Sequence, residues 1–138
     1  MIFSDRRKTG RLDLEAIEMA VRSAMHQAGA AALTELLHDE APARDRRKLP
    51  CPCGNHAQYV DLRSKTVLTA VGKVALRRPY YLCPQCRKGQ FPVDAELDIE
   101  HAESSPGVRR MLAVVGAETS FDHGREQMKT LAGLEVTT

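Results

Sequence analysis

Cys51-Pro52-Cys53-Gly54 and Cys83-Pro84-Gln85-Cys86 are two short cysteine pairs that hold all four cysteines of this 138-residue chain. Two such pairs with a few tens of residues between them are typical of a zinc ribbon, in which each pair forms a metal-binding turn and the intervening chain returns as short strands. Four thiolates suit one tetrahedral Zn²⁺. We therefore predict a structural zinc site, and the absence of an open coordination position disfavours a catalytic zinc. The predicted ligands are Cys51, Cys53, Cys83 and Cys86.

Two alternatives to this site stay open. The first pair has one intervening residue where two are usual, and His56 lies close enough to replace one of the thiolates. Disulfides are disfavoured because residues 1–8 lack the apolar stretch of a secretory signal.

No apolar run approaches the ~18 residues that cross a bilayer. The sequence therefore predicts a soluble, cytoplasmic protein that is associated with the nucleoid and has no membrane partner.

The chain between the cysteine pairs has the composition of strands. Segments 57–62, 66–71 and 74–78 are rich in β-branched and apolar residues, and Arg63-Ser64-Lys65 and Gly72-Lys73 separate them. This pattern predicts a three-stranded meander. Because Pro79 cannot donate a ladder hydrogen bond, the last strand is expected to lie at an edge or to end there.

Charge is distributed unevenly along the chain, although the total is only +2. Residues 44–89 carry a net charge of +9, between flanks of −2 and −5. A local basic block favours an anionic partner, most often nucleic acid, and a solvated basic loop is the alternative. Tyr80 and Tyr81 could stack on nucleotides or fill the core around the zinc. The cations predicted to contact DNA phosphates are Arg63, Lys65, Lys73, Arg77, Arg78, Arg87 and Lys88.

Residues 13–38 predict one long helix. Asp13 is a suitable N-cap, and a heptad-like stripe of mostly alanine residues begins at Leu14. Such a face permits close packing, either within the monomer or against another copy of the chain. Gly29 weakens the helical pattern at its centre.

The C-terminal part predicts two further helices. Ser105 and Pro106 form an N-cap and first-turn pair, and an apolar stripe continues to about Glu118. Ser120 begins a second helix that Gly133 is expected to end. A helix, a short turn and a second helix are the start of a helix-turn-helix, whose recognition helix would follow Thr138.

These features predict an α+β fold with a long N-terminal helix, a small zinc-ribbon β-meander and a C-terminal helical hairpin that is an incomplete helix-turn-helix. The expected organisation is an N-terminal helical segment over residues 1–43, a zinc ribbon with its basic linker over 44–94, and the C-terminal helices over 95–138.

Five motifs resemble the N-terminal region of ISKra-type (Kra-four) insertion-sequence transposases. The resemblance extends over residues 11–138 with the motifs in the same order, and it implies a DNA-binding module that precedes a DDE-type catalytic domain in longer relatives. A DDE site needs three carboxylates on a large sheet, for which this chain has no room. The motifs are residues 63–72, 78–86, 91–94, 105–111 and 118–121.

We therefore expect a transposase fragment or truncated product that binds double-stranded DNA at transposon ends without catalysis. Asp94, Asp98 and Glu100 are expected to have structural or solvating roles. The alternative is a protein-interaction adaptor or oligomerisation module in which the ribbon is a scaffold. In that case the N-terminal helix would bind a second copy or a full-length transposase. An enzyme with an unseen site is the third class.

Overall fold

The architecture is given by a computed structural model that describes residues 7–8 and 11–137. Its main sheet is antiparallel and has the strand order β3-β4-β5-β6, with β3 at Lys48–Pro50, β4 at His56–Thr69, β5 at Gly72–Leu82 and β6 at Gly89–Gln90. A separate pair, β1 (Arg7–Lys8) and β2 (Arg11–Leu12), precedes it. The prediction that the chain has no export signal rests on residues 1–8, of which residues 1–6 lie outside the described residues. The predicted α+β class is confirmed.

β4 and β5 form one long hairpin where a three-stranded meander was expected. The predicted turn at Arg63-Ser64-Lys65 is wrong, because β4 continues through these residues in register with β5. Polar residues are tolerated here because Arg63 and Lys65, which point to the same face of the strand, meet an aromatic and an acidic partner there. The predicted turn before Gly72 is present, and Gly72 has φ 108°.

Pro79 lies within β5, opposite Leu62. Among the described strands, β6 pairs only with Tyr81 and Leu82 of β5, so that Pro79 lies where β5 has one neighbouring strand. The predicted edge position is therefore confirmed, although β5 continues beyond it to Leu82. An edge position tolerates proline because no ladder hydrogen bond is lost on the open side.

Helix α1 (Leu14–Leu36) agrees closely with the predicted long helix. Asp13 is its N-cap and accepts a hydrogen bond from the Ala16 amide at 3.1 Å. α1 packs within the monomer near the β4–β5 turn, where a Cβ built on Gly29 would lie 3.1 Å from Val71 Cγ1. Gly29 is therefore a point of close approach between helix and hairpin.

The outer face of α1 is open. The helix lies wholly within the described residues and contains no buried residue. Leu14, Val21 and Met25 are all exposed, with Leu14 and Met25 at 66% and 68%. Of the heptad-like stripe predicted from sequence, Ile17 and Ala24 are half-buried, and the other members are exposed: Leu14, Val21, Ala28 and Ala31.

The C-terminal helices match the sequence prediction. α3 spans Pro106–Glu118, with Ser105 Oγ accepting from the Val108 amide at 3.2 Å. α4 spans Phe121–Gln127 and continues as a π-helical turn, Met128–Ala132, which Gly133 ends at φ 70°. Val108, Met128 and Leu134 form the core of this part, and Leu68 of β4 packs against them.

Segment 91–105 joins the sheet to these helices. It begins with the short helix α2 (Pro92–Glu96) and returns to β4 at an isolated bridge between Leu68 and Ser104. Ile99 packs into a small core with Val67 and Leu76. No helix in residues 7–8 and 11–137 is long and apolar enough to cross a membrane.

A buried ion pair fixes this segment against the hairpin. Arg78 and Asp94 are 6% and 5% exposed, and Arg78 Nε donates to Asp94 Oδ1 at 2.9 Å. A second bond joins Nη2 to Oδ2 at 3.3 Å, so the pairing is bidentate. The guanidinium also donates to the Arg63 carbonyl at 2.8 Å and lies over the Phe91 ring. These contacts satisfy the buried charges of both groups.

Asp94→Asn is expected to lower the free energy of unfolding by about 3–5 kcal/mol, because it leaves the Arg78 charge buried without a counterion. Asp61→Asn is the control. It breaks the Arg63–Asp61 pair, whose side chains are 49% and 54% exposed, and should cost about 1 kcal/mol or less. Urea denaturation of both variants measures the difference, and equal midpoints would contradict the role assigned to Asp94.

Candidate metal centre and basic surface

Each cysteine pair lies on a tight backbone turn at the same end of the sheet. In the first turn the Cys51 amide donates to the Asn55 carbonyl at 2.9 Å, and the Gly54 amide donates to the Cys51 carbonyl at 3.0 Å. Gly54 has φ 93°, a conformation that glycine adopts without steric cost. These bonds fold the first pair back on itself between β3 and β4.

The second turn has similar bonds. The Cys83 amide donates to the Lys88 carbonyl at 3.0 Å, and the Arg87 amide donates to the Cys83 carbonyl at 2.9 Å. Arg87 takes the left-handed conformation at φ 64°. β4 and β5 bring this turn beside the first because their paired ends adjoin the two cysteine pairs.

The four sulfur atoms converge on one point. Cys51 Sγ lies 3.5 Å from Cys86 Sγ, Cys53 Sγ lies 3.6 Å from Cys83 Sγ, and all four are within 4.8 Å of one another. A disulfide would need about 2.05 Å. Four sulfurs around a tetrahedral metal with bonds of ~2.3 Å would be ~3.8 Å apart, so the cluster fits a metal ion.

The geometry of the cluster bears on the choice of ligands that the sequence left open, and it is compatible with a metal site made by the four cysteines. In the part of the chain that the structure describes, the metal-ligating group consists of the four cysteines alone. His56 is the exposed first residue of β4 and pairs with Pro50. One cysteine of each pair is buried, Cys51 and Cys83, and each contacts the exposed member of the other pair. The single-residue spacing of the first pair is therefore compatible with four-cysteine convergence.

Tyr81 fills the core beside the cluster, as one of the two readings of the tyrosines predicted. It is 4% exposed and packs with Cys51, Ala57 and Cys83. Its hydroxyl donates to the Arg46 carbonyl at 2.9 Å, and burial raises the pKa of the phenol. The contact also holds the basic turn at Arg44–Arg46 against the sheet.

The thiols differ in acidity. The Asn55 amide, and after it the Cys51 thiol, donate toward Cys53 and lower its pKa to about 6. The Cys53 amide lowers the pKa of Cys51, but burial and hydrogen bonds with the other three sulfurs outweigh it and raise this pKa to about 12. One thiolate thus makes its neighbours harder to ionise, and a bound cation would remove that conflict.

The seven predicted DNA-contact residues lie on different surfaces. Opposed residues of an antiparallel pair share a face. Arg63, Lys65 and Arg78 therefore lie on one face of the hairpin, whereas Arg77 and Lys73, paired with Ser64 and Leu68, lie on the other. Arg87 and Lys88 are exposed on the second cysteine turn.

Arg78 and Lys65 are engaged inside the protein. Arg78 is buried against Asp94, as described above. Lys65 Nζ donates to the Ile99 carbonyl at 2.6 Å and lies 3.6 Å from Asp94 Oδ2, and its side chain is 18% exposed. The structure thus gives Asp94 the structural role expected for it. An exposed phosphate surface built on Arg78 is not compatible with this burial.

Two residues of the site were missed by the sequence reasoning. Asn55 Nδ2 donates to Cys53 Sγ at 3.6 Å, and this bond would orient the sulfur if Cys53 bound a metal. Gly89 allows Tyr80 to pass closely, since a Cβ there would lie 2.6 Å from Tyr80 Cε2. The position of Asn55 two residues after Cys53 was the available signal, whereas nothing local to Gly89 indicates Tyr80.

Metal affinity should fall as the pH is lowered, because metal displaces thiol protons. Between pH 6 and 12 Cys51 must lose a proton, which alone gives about a tenfold gain in affinity per pH unit. Below pH 6 Cys53 is protonated as well, so the dependence should steepen to at least about 100-fold per unit. Chelator competition at pH 5.5, 7 and 8 measures this, and an affinity independent of pH would exclude the thiolate site.

Comparison with known proteins identifies a family but no characterised homologue. Searches of curated proteins and of solved structures found no match. The model of an uncharacterised protein family, UPF0236, matches residues 7–137, which is nearly the whole chain and includes both cysteine pairs, the hairpin and the C-terminal helices. The chain therefore belongs to the uncharacterised protein family UPF0236.

Proposed function

We propose that this chain is a zinc-stabilised DNA-binding module of an insertion-sequence transposase, and that it binds transposon-end DNA without catalysis. The observation that carries the proposal is the convergence of four cysteine sulfurs within 4.8 Å at the end of a basic hairpin. The order of the transposase-like motifs adds the insertion-sequence context. A cytoplasmic, nucleoid-associated location follows from this proposal.

Zinc is the metal that this ligand set favours. Soft thiolate ligands in tetrahedral arrangement select Zn²⁺ or iron, and four cysteines on two tight turns are typical of structural zinc. When bound, zinc would cross-link the two turns through Cys51, Cys53, Cys83 and Cys86. Four protein ligands leave no position for a reacting water, so the proposed role is structural.

DNA is the partner that the exposed cations favour. Lys73 and Arg77 lie exposed on one face of the hairpin, and Arg87 and Lys88 are exposed on the turn that the metal would hold rigid. Lysine and arginine side chains on a rigid scaffold neutralise backbone phosphates and release counterions. Such contacts position a protein on a duplex without reporting base sequence. Four further exposed cations, near the first cysteine turn, extend the basic surface: Arg44, Arg46, Arg47 and Lys48.

The proposal does not include catalysis because acidic residues that could hold catalytic metals form ion pairs within the protein. Asp94 is bound by Arg78 and Lys65, so its oxygens are not free to share a pair of divalent metals. Asp98 forms an ion pair with Arg109, in which Oδ2 lies 3.1 Å from Nη2. Asp94 therefore supports structure, and binding is the activity that the remaining surface favours.

An adaptor or oligomerisation module is the second candidate, and the exposed stripe of α1 favours it. Leu14, Val21 and Met25 are apolar and exposed. An amphipathic helix with an open apolar face can pair with a second copy or with a full-length transposase. In this reading the metal cluster is scaffold.

Zinc should be lost when Cys83 and Cys86 are both replaced by Ser. We expect one zinc per chain in the parent protein and less than a tenth of an equivalent in the double variant, because only two ligands remain. The near-ultraviolet signal of Tyr59 and Tyr81, whose ring centroids are 5.9 Å apart beside the cluster, should weaken with it. His56→Ala is the matched control and should keep full zinc. A full equivalent in the double variant would exclude the assignment.

DNA affinity should fall when the exposed hairpin cations are reversed. Lys73→Glu with Arg77→Glu should weaken duplex binding on every sequence and reduce the slope of log K against log salt by about two. Arg125→Glu with Lys129→Glu, two exposed changes in the C-terminal helical part, is the charge-matched control. Fluorescence anisotropy over a salt series measures both. Salt-independent binding, or no binding by the zinc-loaded parent, would favour the adaptor.

A further inference from the structure

A second cation-lined feature lies on the hairpin face opposite Lys73 and Arg77. It is a cleft of about 740 Å³ between the β4–β5 hairpin and the segment from β6 to α2. This volume is in the range of small-molecule sites. Its charged and aromatic walls are formed chiefly by Arg63, Lys65, Arg78, Tyr80, Lys88 and Phe91.

The inner wall of the cleft carries more positive than negative charge. Asp94 is shared by two cations, with Arg78 Nε at 2.9 Å and Lys65 Nζ at 3.6 Å. Arg78 is the bidentate partner of Asp94, so the carboxylate neutralises that charge and leaves the charge of Lys65, which donates to the Ile99 carbonyl. Because the side chains of Lys65 and Arg78 are only 18% and 7% exposed, water compensates that charge poorly. The inner wall is therefore suited to an anion.

Two more cations lie nearer the solvent. The Arg63 guanidinium is held over the Tyr80 ring at 3.8 Å from its centroid, while Nε donates to Asp61 at 3.0 Å. This contact holds the guanidinium beside the aromatic wall of the cleft. Lys88 is exposed, directly precedes β6 and belongs to the second cysteine turn. Glu100 is the further carboxylate in the lining and is exposed, so the cations remain in excess.

The lining is assembled from parts that the fold holds in place. Tyr80 packs against Phe91 with ring centroids 4.9 Å apart, and Arg78 lies over Phe91 at 3.9 Å. Gly89 lets Tyr80 approach the backbone of β6. Oriented cations on rigid supports lose little entropy on binding a ligand, which favours a specific site over a diffuse basic surface.

We propose that this cleft binds a phosphate group, and that its occupant is a phosphodiester of the DNA backbone. This inference rests on the proposed function and names a site within it. The guanidinium of Arg63 and the ammonium groups of Lys65 and Lys88 match phosphate oxygens in charge and hydrogen bonding. Lys88 lies both in the cleft lining and on the second cysteine turn, so one strand can contact the turn and the cleft together.

The first test is a titration of the zinc-loaded chain with inorganic phosphate, followed by backbone amide NMR. Saturable shifts should concentrate at Gly89 and Gln90, beside the cleft, and the Lys88→Gln variant should weaken them severalfold. Lys88 is exposed, so its replacement leaves the core intact. Shifts of equal size at Lys73 and Arg77 on the other face, or no saturable shift, would overturn the cleft as a phosphate site.

The second test measures the salt dependence of duplex binding. Lys88→Gln and Arg63→Gln should each reduce the slope of log K against log salt by about one, and Lys129→Gln should leave it unchanged. Lys65→Met, which keeps the aliphatic stem, should act in the same direction.

The two tests separate the inference from the function it rests on. Salt-dependent DNA binding with unchanged slopes in the cleft variants overturns the cleft as a DNA contact while the proposed function stands. Saturable phosphate shifts in a chain that binds no DNA overturn both the proposed function and the DNA occupant, and they leave phosphate from another source as the ligand.

Discussion

The convergence of the four cysteine sulfurs brings together the two turns that connect the edge strands β3 and β6 to the central hairpin. β3 and β6 have only three and two residues, too few to be stable strands by their own ladders. Each is connected to the hairpin through a cysteine turn, and the buried sulfurs of Cys51 and Cys83 pack with Ala57 and Tyr81. A metal bound there would replace the large apolar core that a sheet end of this size lacks.

A second set of contacts works at the middle of the hairpin. The Asp94 carboxylate accepts a hydrogen bond from Arg78 of β5, and Lys65 of β4 donates to the Ile99 carbonyl. These bonds connect both strands of the hairpin to segment 91–105. Ile99 then packs with Val67 and Leu76, and the Leu68–Ser104 bridge passes the chain on to α3. The polar contact of Lys65 is therefore followed along β4 by the apolar contacts of Val67 and, on the opposite face, of Leu68. These tertiary partners hold the acidic segment 94–103 in place.

Local chemistry explains what could be predicted from sequence. Asp13, Ser105 and Gly133 are caps whose function depends on neighbouring backbone atoms, and the helices they bound were predicted closely. The cysteine spacing likewise predicted the cluster. The turn at Arg63-Ser64-Lys65 was predicted wrongly because the partners that make a strand acceptable there, Tyr80 and Asp94, are distant in sequence. For the same reason the burial of Arg78 and the division of the basic residues between two faces required the register of β4 and β5.

The length of the hairpin has a consequence for cooperativity. β4 has 14 residues, roughly 45 Å of extended chain, with the sulfur cluster at one end and the contact between Gly29 and Val71 near the other. The helical core of Val108, Met128 and Leu134 touches β4 at Leu68, far from the cysteines along the strand. The end of the hairpin that carries the sulfur cluster can therefore open as a sub-global event with its own hydrogen-exchange free energy. The half of the hairpin near Leu68 and Val71 stays protected from exchange meanwhile. The molecule would then fray from one end, as separate foldons do, before it unfolds as a whole.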